Sequence, residues 1–211
     1  MSDNTACMCL WNESVAGRGA SEVCSCLLKV LSLLPPSEKE KDLIIWSDAC
    51  GSQNRNWYTI SLWLLLFQKG LFKSIQHQFM VSGHSFLPAD RDFALIERAK
   101  KTASVNLPDK WSSVISQARV KNPFTVVNMK QQFFQEFETL TKALKKPKNL
   151  KLHGIQAIKI DEEGMLKIKR NLEDTSWKHY RVLPSIPGKY TCSILCSHSI
   201  FGRFLKIDLK I

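Results

Sequence analysis

DLIIWSDACGSQNRNWYTISLWLLLFQKGLFKSIQHQFM, residues 42–80, decides how the rest of the chain is read. Leu43 to Trp46 is a short apolar, β-branched run with an acid before it and a loop after it, the pattern of a strand covered on both faces. Asp48 therefore emerges at the strand's C-terminal end. WYTISLWLLLFQ, residues 57–68, is apolar on nearly every side and too short to span a bilayer, which predicts a buried helix closed by Gly70. Tyr58, Thr59 and Ile60 would also suit a strand. From Ser74 to Val81 the sequence alternates, with Ile75, His77, Phe79 and Val81 on one side, as a half-buried strand does.

Outward from this stretch, GHSFLPADRDFALIERAKK fills residues 83–101. Asp90 suits a helix start, where its carboxylate meets free N–H groups and the positive end of the dipole. Phe93, Ala94 and Ile96 form the expected apolar side, and Asp90 and Glu97 fall seven residues apart, at nearly the same angular position. Strand, acid, helix, strand, His84 and acidic helix follow in an order that places polar groups where open α/β sheets bind ligands. Asp48 with Asp90 and Glu97 would offer oxygen ligands to a hard cation, Mg2+ or Mn2+. Gln53, Asn54 and Asp92 stand beside them as candidate cofactor-binding residues. Each has a plainer reading: Asp48 as a turn former, Asp90 as a cap, Glu97 on a solvated face, His84 as a loop hydrogen-bonder, and Gln53, Asn54 and Asn56 as caps of the next helix.

SDACGSQNRN and GHSFLPADRDFALIE, preceded by LWNESVAGRGASEVCSCL, resemble an uncharacterised transposase-like domain family of animal genomes. The order of elements is similar to the ribonuclease-H-like fold of transposases and related nucleases. That resemblance implies a three-layer α/β core in which an acid follows the fourth strand, matching Asp48, and another lies on a helix after the fifth, matching Asp90 or Glu97. It also implies catalytic roles for Asp48, Asp90, Glu97 and His84. The pattern's first metal-binding aspartate lies on a first strand ahead of two more antiparallel strands, and the ten residues before Trp11 leave room for one strand and no more, so the expected core is partial and lacks that first acid.

Before the central stretch, Ala6 to Trp11 reads as an edge strand, and Ser21 as the cap of a helix to about Leu34 that Pro35 and Pro36 stop. Arg18, in front of that helix, is a candidate phosphate contact. After Lys101, the pattern predicts a helix from Pro108 to Ala118, a strand at Phe124 to Val127 and an amphipathic helix from Lys130 to Leu144 carrying Phe133, Phe134, Phe137 and Leu140. IQAIKI and MLKIKR then alternate around residues 161–164 as a β-hairpin, with Trp177 to Leu183 as a possible third strand. Residues 1–144 are thus expected as the core, 145–189 as a basic linker with a small C-terminal β appendage, and 190–211 as a tail with no clear reading.

Thirty Lys and Arg against nineteen Asp and Glu leave a net charge of +11. Residues 142–170 hold nine Lys and Arg and three acids, so this segment alone supplies six of the excess charges. Lys145, Lys146, Lys148 and Lys151 are the candidate backbone contacts of a nucleic acid, with DNA favoured, since phosphate neutralisation gives sequence-blind, salt-dependent affinity. A solvated charged face is the plainer reading. No basic segment followed by an apolar run marks a secretory signal, and no stretch reaches transmembrane length, so an intracellular, nuclear protein without membrane contact is expected. Seven cysteines lack the paired spacing of a zinc ribbon and read as reduced thiols. Cys192, Cys196 and His198 form a weak metal candidate with no fourth ligand.

Two functional classes remain open: a transposon-derived nucleic-acid-binding protein with an incomplete phosphoryl-transfer site, and an active metal-dependent nuclease or transposase whose first aspartate lies upstream.

Overall fold

The computed structural model describes residues 5–35, 37, 41–81, 88–103 and 110–182, together with the backbone of 208–210. In chain order the elements are β1 (Cys7–Leu10), α1 (Ala20–Ser32), β2 (Asp42–Ser47), α2 (Trp57–Gln68), β3 (Ser74–Phe79), α3 (Pro88–Thr102), α4 (Lys110–Gln117), β4 (Thr125–Asn128), a 3-10 turn (Gln131–Phe133), α5 (Glu138–Ala143), β5 (Ala157–Ile160), β6 (Leu166–Lys169), β7 (Lys178–Tyr180) and β8 (Asp208–Lys210). The protein is a mixed α/β fold. Five strands form one mixed sheet in the order β7-β6-β5-β3-β2, and the short β8 adds to its β2 edge. β1 and β4 form a separate parallel pair.

The central stretch folds as its pattern requires. β2 and β3 run parallel with Ile45 opposite His77, joined by the crossover helix α2. Asn56 starts α2 by accepting the Thr59 N–H at 3.0 Å, and Gly70 ends it at φ 65°, a left-handed value that costs glycine nothing. Leu43, Ile45, Ile75, His77 and Phe79 are buried; the four apolar residues share a core with residues of α1 and α2, and His77 meets Trp63 of α2. β2 is not covered equally on both faces, however: Ile44 and Trp46, on the far face, are only half-buried. β3 stops at Phe79, and Val81 is exposed.

β5 pairs antiparallel with β3, Ile158 opposite His77, so the expected appendage continues the core sheet instead of standing apart. The β5–β6 turn closes through Gly164 at φ 63°, with its N–H on the Asp161 carbonyl at 2.7 Å. α5 packs against α2, where Ser61 and Thr141 share a buried hydroxyl contact of 3.0 Å. α3 and α4 pack elsewhere, in a second core with Ala6, Met8 and Phe124 on the β1–β4 pair.

Two helix expectations fail, the first for a tertiary reason and the second for a local one. The helix foreseen from Lys130 to Leu144 is broken into the 3-10 turn and α5, because the Gln135 N–H bonds to the Ser25 hydroxyl of α1 at 2.9 Å and leaves the helical path. Phe133, Phe134 and Leu140 still pack on the core, and Phe137 is fully buried. The first helix begins at Ala20, not after Ser21. Glu22 reaches back to the Gly19 N–H at 2.8 Å, half of a capping box, while Ser21 lies inside the first turn. Of the tail, only β8 falls within the described residues; Cys192, Cys196 and His198 lie outside them.

Candidate nucleic-acid interface

Asp48 follows the last residue of β2 and folds its carboxylate back onto its own loop. Its Oδ1 accepts the Cys50 N–H at 2.9 Å and the Asn54 side-chain amide at 2.8 Å. The Cys50 carbonyl accepts N–H groups from Gln53, Asn54 and Arg55 at 3.3, 2.8 and 3.0 Å. The loop is a closed turn that delivers Asn56 to the start of α2. Asp48 itself is exposed, and Gln53 and Asn54 are half-buried.

A hydrogen-bonded chain runs from the buried Trp63 and His77 out to the half-buried Ser47 at the start of this loop. Trp63 of α2 donates its indole N–H to His77 Nδ1 at 3.2 Å, which leaves the proton of the neutral ring on Nε2. Nε2 then donates to the Ser47 hydroxyl at 2.9 Å, and Ser47 donates to the Asp48 carbonyl at 2.7 Å. Burial pushes the His77 pKa down to about 3. The ring is a fixed neutral link that ties the helix to the end of β2.

The acidic helix behaves otherwise. Asp90 and Glu97 are exposed, and Glu97 pairs with Lys100 at 3.6 Å. Asp92 is buried, held by Arg119 at 3.4 Å, whose guanidinium also stacks on Phe124 at 4.5 Å. It joins α3 to the loop before β4, a role for packing. On the apolar side Leu95 takes the place foreseen for Ala94, which is exposed. His84 lies outside the described residues. Among the described residues no group of three His, Cys, Asp or Glu side chains is placed to hold a metal ion, so Asp48, Asp90 and Glu97 are not gathered into one.

The basic segment, by contrast, reaches the Asp48 loop. Arg55 donates to the Ile155 carbonyl at 3.2 Å, and the Lys146 ammonium sits 5.8 Å from the Trp57 ring centroid at the first turn of α2. The Lys145 N–H bonds the Val182 carbonyl at 2.8 Å, and the Phe79 N–H bonds the Gln156 carbonyl at 2.8 Å. Residues 144–156 are thus pinned beside the C-terminal ends of β2 and β3. Lys145, Lys146, Lys148 and Lys151 are all exposed on this loop, and none carries a carboxylate partner among the described residues. Arg18 is different: it is paired with Glu13 at 3.0 Å.

A family model described as Domain of unknown function (DUF7869) matches residues 4–174. The chain belongs to this family. No curated protein and no solved structure matches it. The DUF7869 region takes in the Asp48 loop, α3, the basic loop and the β5–β6 hairpin, and stops short of β7.

Within that region, sequence reasoning passed over Ser47, Arg55, Trp57, Trp63 and His77. His77 was visible only as one apolar-side position in an alternating strand. Its two nitrogens meet residues thirty positions before it and fourteen positions before it, and no local pattern announces such contacts. A titratable residue on the buried side of a strand was the available signal, since a buried imidazole needs partners.

Proposed function

We propose that this protein is a transposon-derived nucleic-acid-binding protein of ribonuclease-H-like ancestry that grips phosphate groups through the loop of residues 144–156. One contrast carries the reading. Lys100, Lys142, Lys159 and Lys167 each have an acid within 4.0 Å, whereas Lys145, Lys146, Lys148 and Lys151 are exposed without one and, unlike the similarly unpaired Lys73 and Lys101, are clustered in one loop, with Lys146 by Trp57 in the first turn of α2. Cations left without an internal partner favour an external polyanion, and their number in one loop concentrates the field. The parallel β2–β3 pair and its crossover helix fit the ancestry, with Asp48 at the strand end that open α/β sheets use for ligands. In this reading Asp48 shapes the loop, DNA is the expected ligand and the nucleus the expected location. Asp48, Asp90 and Glu97 are not gathered into one group of three among the described residues, so the binding reading carries no catalytic step.

The test is binding to a duplex oligonucleotide across a salt series. Affinity falls steeply with salt, and changing Lys145, Lys146, Lys148 and Lys151 to Gln lowers the log–log slope by roughly 0.9 for each lysine that meets a phosphate. A flat salt response in the parent protein contradicts the proposal. Nicking of DNA in magnesium that Asp48→Asn abolishes would replace it with the nuclease reading.

A further inference from the structure

Among the described residues, α2 packs on the His77 face of the five-stranded sheet, where Trp63 meets the imidazole. The ladder registers define the opposite face residue by residue. One row runs Trp46, Gln78, Ala157 and Lys169, each directly opposite the next across β2, β3, β5 and β6. Trp177 extends it one position beyond the β6–β7 ladder, where the Lys169 ammonium lies 5.0 Å from its ring centroid. A second row runs Ile44, Gln76, Lys159, Lys167 and His179. Asp42 and Ser74 on this face share a hydrogen bond of 2.7 Å, as the registers require.

The two rows differ in what they offer. Lys159 and Lys167 both bind Asp161, at 3.4 and 3.0 Å, and Lys167 also binds Glu163 at 2.9 Å. Their charges are spent internally. In the first row, Lys169 has no carboxylate partner among the described residues, half-buried Trp46 and Trp177 stand on β2 and just before β7, and β8 continues the row beyond Trp46 with Asp208 opposite it. Ala157 at the centre is the shortest side chain of the row and is buried, 1% exposed, between Gln78 and Lys169.

The first row is also continuous with the basic loop. It lies at the sheet end where that loop enters β5: the Gln156 N–H bonds the Lys169 carbonyl at 2.9 Å, and Arg170 holds the carbonyls of His153 and Lys151 at 3.0 and 3.2 Å. A strand gripped by the loop lysines would cross this row next.

We propose that the row from Trp46 to Trp177 is a binding platform for single-stranded nucleic acid, with bases stacked on the two indoles and phosphate beside Lys169. The proposal rests on the nucleic-acid reading above and specifies its ligand. Tryptophan faces need exposed base faces, which a single strand presents and a duplex hides in its own stack. The five strands span about 19 Å at their usual spacing, room for a short run of nucleotides.

The experiment compares a dT homopolymer with a blunt duplex in fluorescence anisotropy. Trp177→Ala is expected to weaken dT binding about tenfold, as loss of one stacked base does, while duplex affinity and the salt slope stay unchanged. Trp177→Phe restores most of the dT affinity. Neutralising Lys145, Lys146 and Lys148 weakens both ligands. If Trp177→Ala leaves dT binding intact, or weakens both ligands equally, the platform is overturned while the loop reading stands. Absence of binding to either ligand by the parent protein overturns both readings. A dimer in solution that Trp177→Ala converts to monomer also overturns the platform, because the face is then a contact between copies.

Discussion

His77 shows how a single buried residue sets the geometry of an exposed loop. Its neutral ring accepts from Trp63 and donates to Ser47, so α2, β3 and the end of β2 share one hydrogen-bonded chain. The folded pKa lies near about 3 and the unfolded value near 6.5, so the unfolded chain binds the extra proton first as pH falls. The stability contributed by the neutral ring is complete above pH 6.5 and is lost progressively as pH drops toward 3. Urea unfolding at about pH 7.5 and about pH 5.5 should show the parent losing roughly 1 kcal/mol more than His77→Leu over that interval. Equal losses would mean that the ring titrates in the native state as it does in the unfolded chain. The variant also starts less stable by about 1–3 kcal/mol, because Trp63 and Ser47 each lose a buried partner. At this scale the sequence was a mixed guide. Asp48, Asn54 and Asn56 were legible as turn and cap residues from their type and place, whereas Asp92 gave no sign of its burial. Its partner Arg119 lies across a gap of twenty-seven residues.

Secondary structure was most legible where pattern and packing agree. The alternation of β3, the apolar run of α2 and the paired β5 and β6 segments each needed only one partner surface, and each formed. The segment from Lys130 to Leu144 had a good helical stripe of phenylalanines, yet Ser25 and the α1 surface took its backbone and aromatic rings in a non-helical path. Propensity is a weak prior against a specific buried contact. For α2 the decisive local term is its cap. Asn56→Ala removes the acceptor for the Thr59 N–H and should cost about 1 kcal/mol, with a range of about 0.5–2 kcal/mol. Thermal unfolding checks this, and the loop lysines should lose some of their fixed placement, since Lys146 rests near Trp57 in the same first turn. An unchanged midpoint would show that Asn56 is not the cap in solution. The Asn56 side-chain nitrogen is buried without a hydrogen-bond partner, so replacement by Asp, which has no donor, is expected to be better tolerated than Ala.

Taken whole, the molecule separates two kinds of charge. The net charge of +11 was plain from composition, but composition could not say which lysines are neutralised within the fold. The structure divides them: Lys159 of β5 and Lys167 of β6 pair with Asp161 and Glu163, while Lys169 of β6 does not, and the loop between α5 and β5 keeps its lysines exposed. Sheet order was equally hidden. Alternation identified β5 and β6 as a hairpin, yet only the register with β3 shows that the hairpin widens the core sheet and carries the basic loop to the strand ends. The carboxylate trio was the expectation least supported by sequence, because convergence of residues on separate elements depends on packing that no spacing encodes. No described helix is long and apolar enough to cross a membrane.

The most direct test of the central claim is a lysine footprint: acetylation of surface amines with and without a DNA duplex, read peptide by peptide in a mass spectrometer. The account predicts that Lys145, Lys146, Lys148 and Lys151 are protected by the duplex while Lys73, Lys100 and Lys101, away from the loop in sequence and in element, react as before. Uniform protection of all lysines, or protection confined to lysines outside residues 144–156, would contradict it.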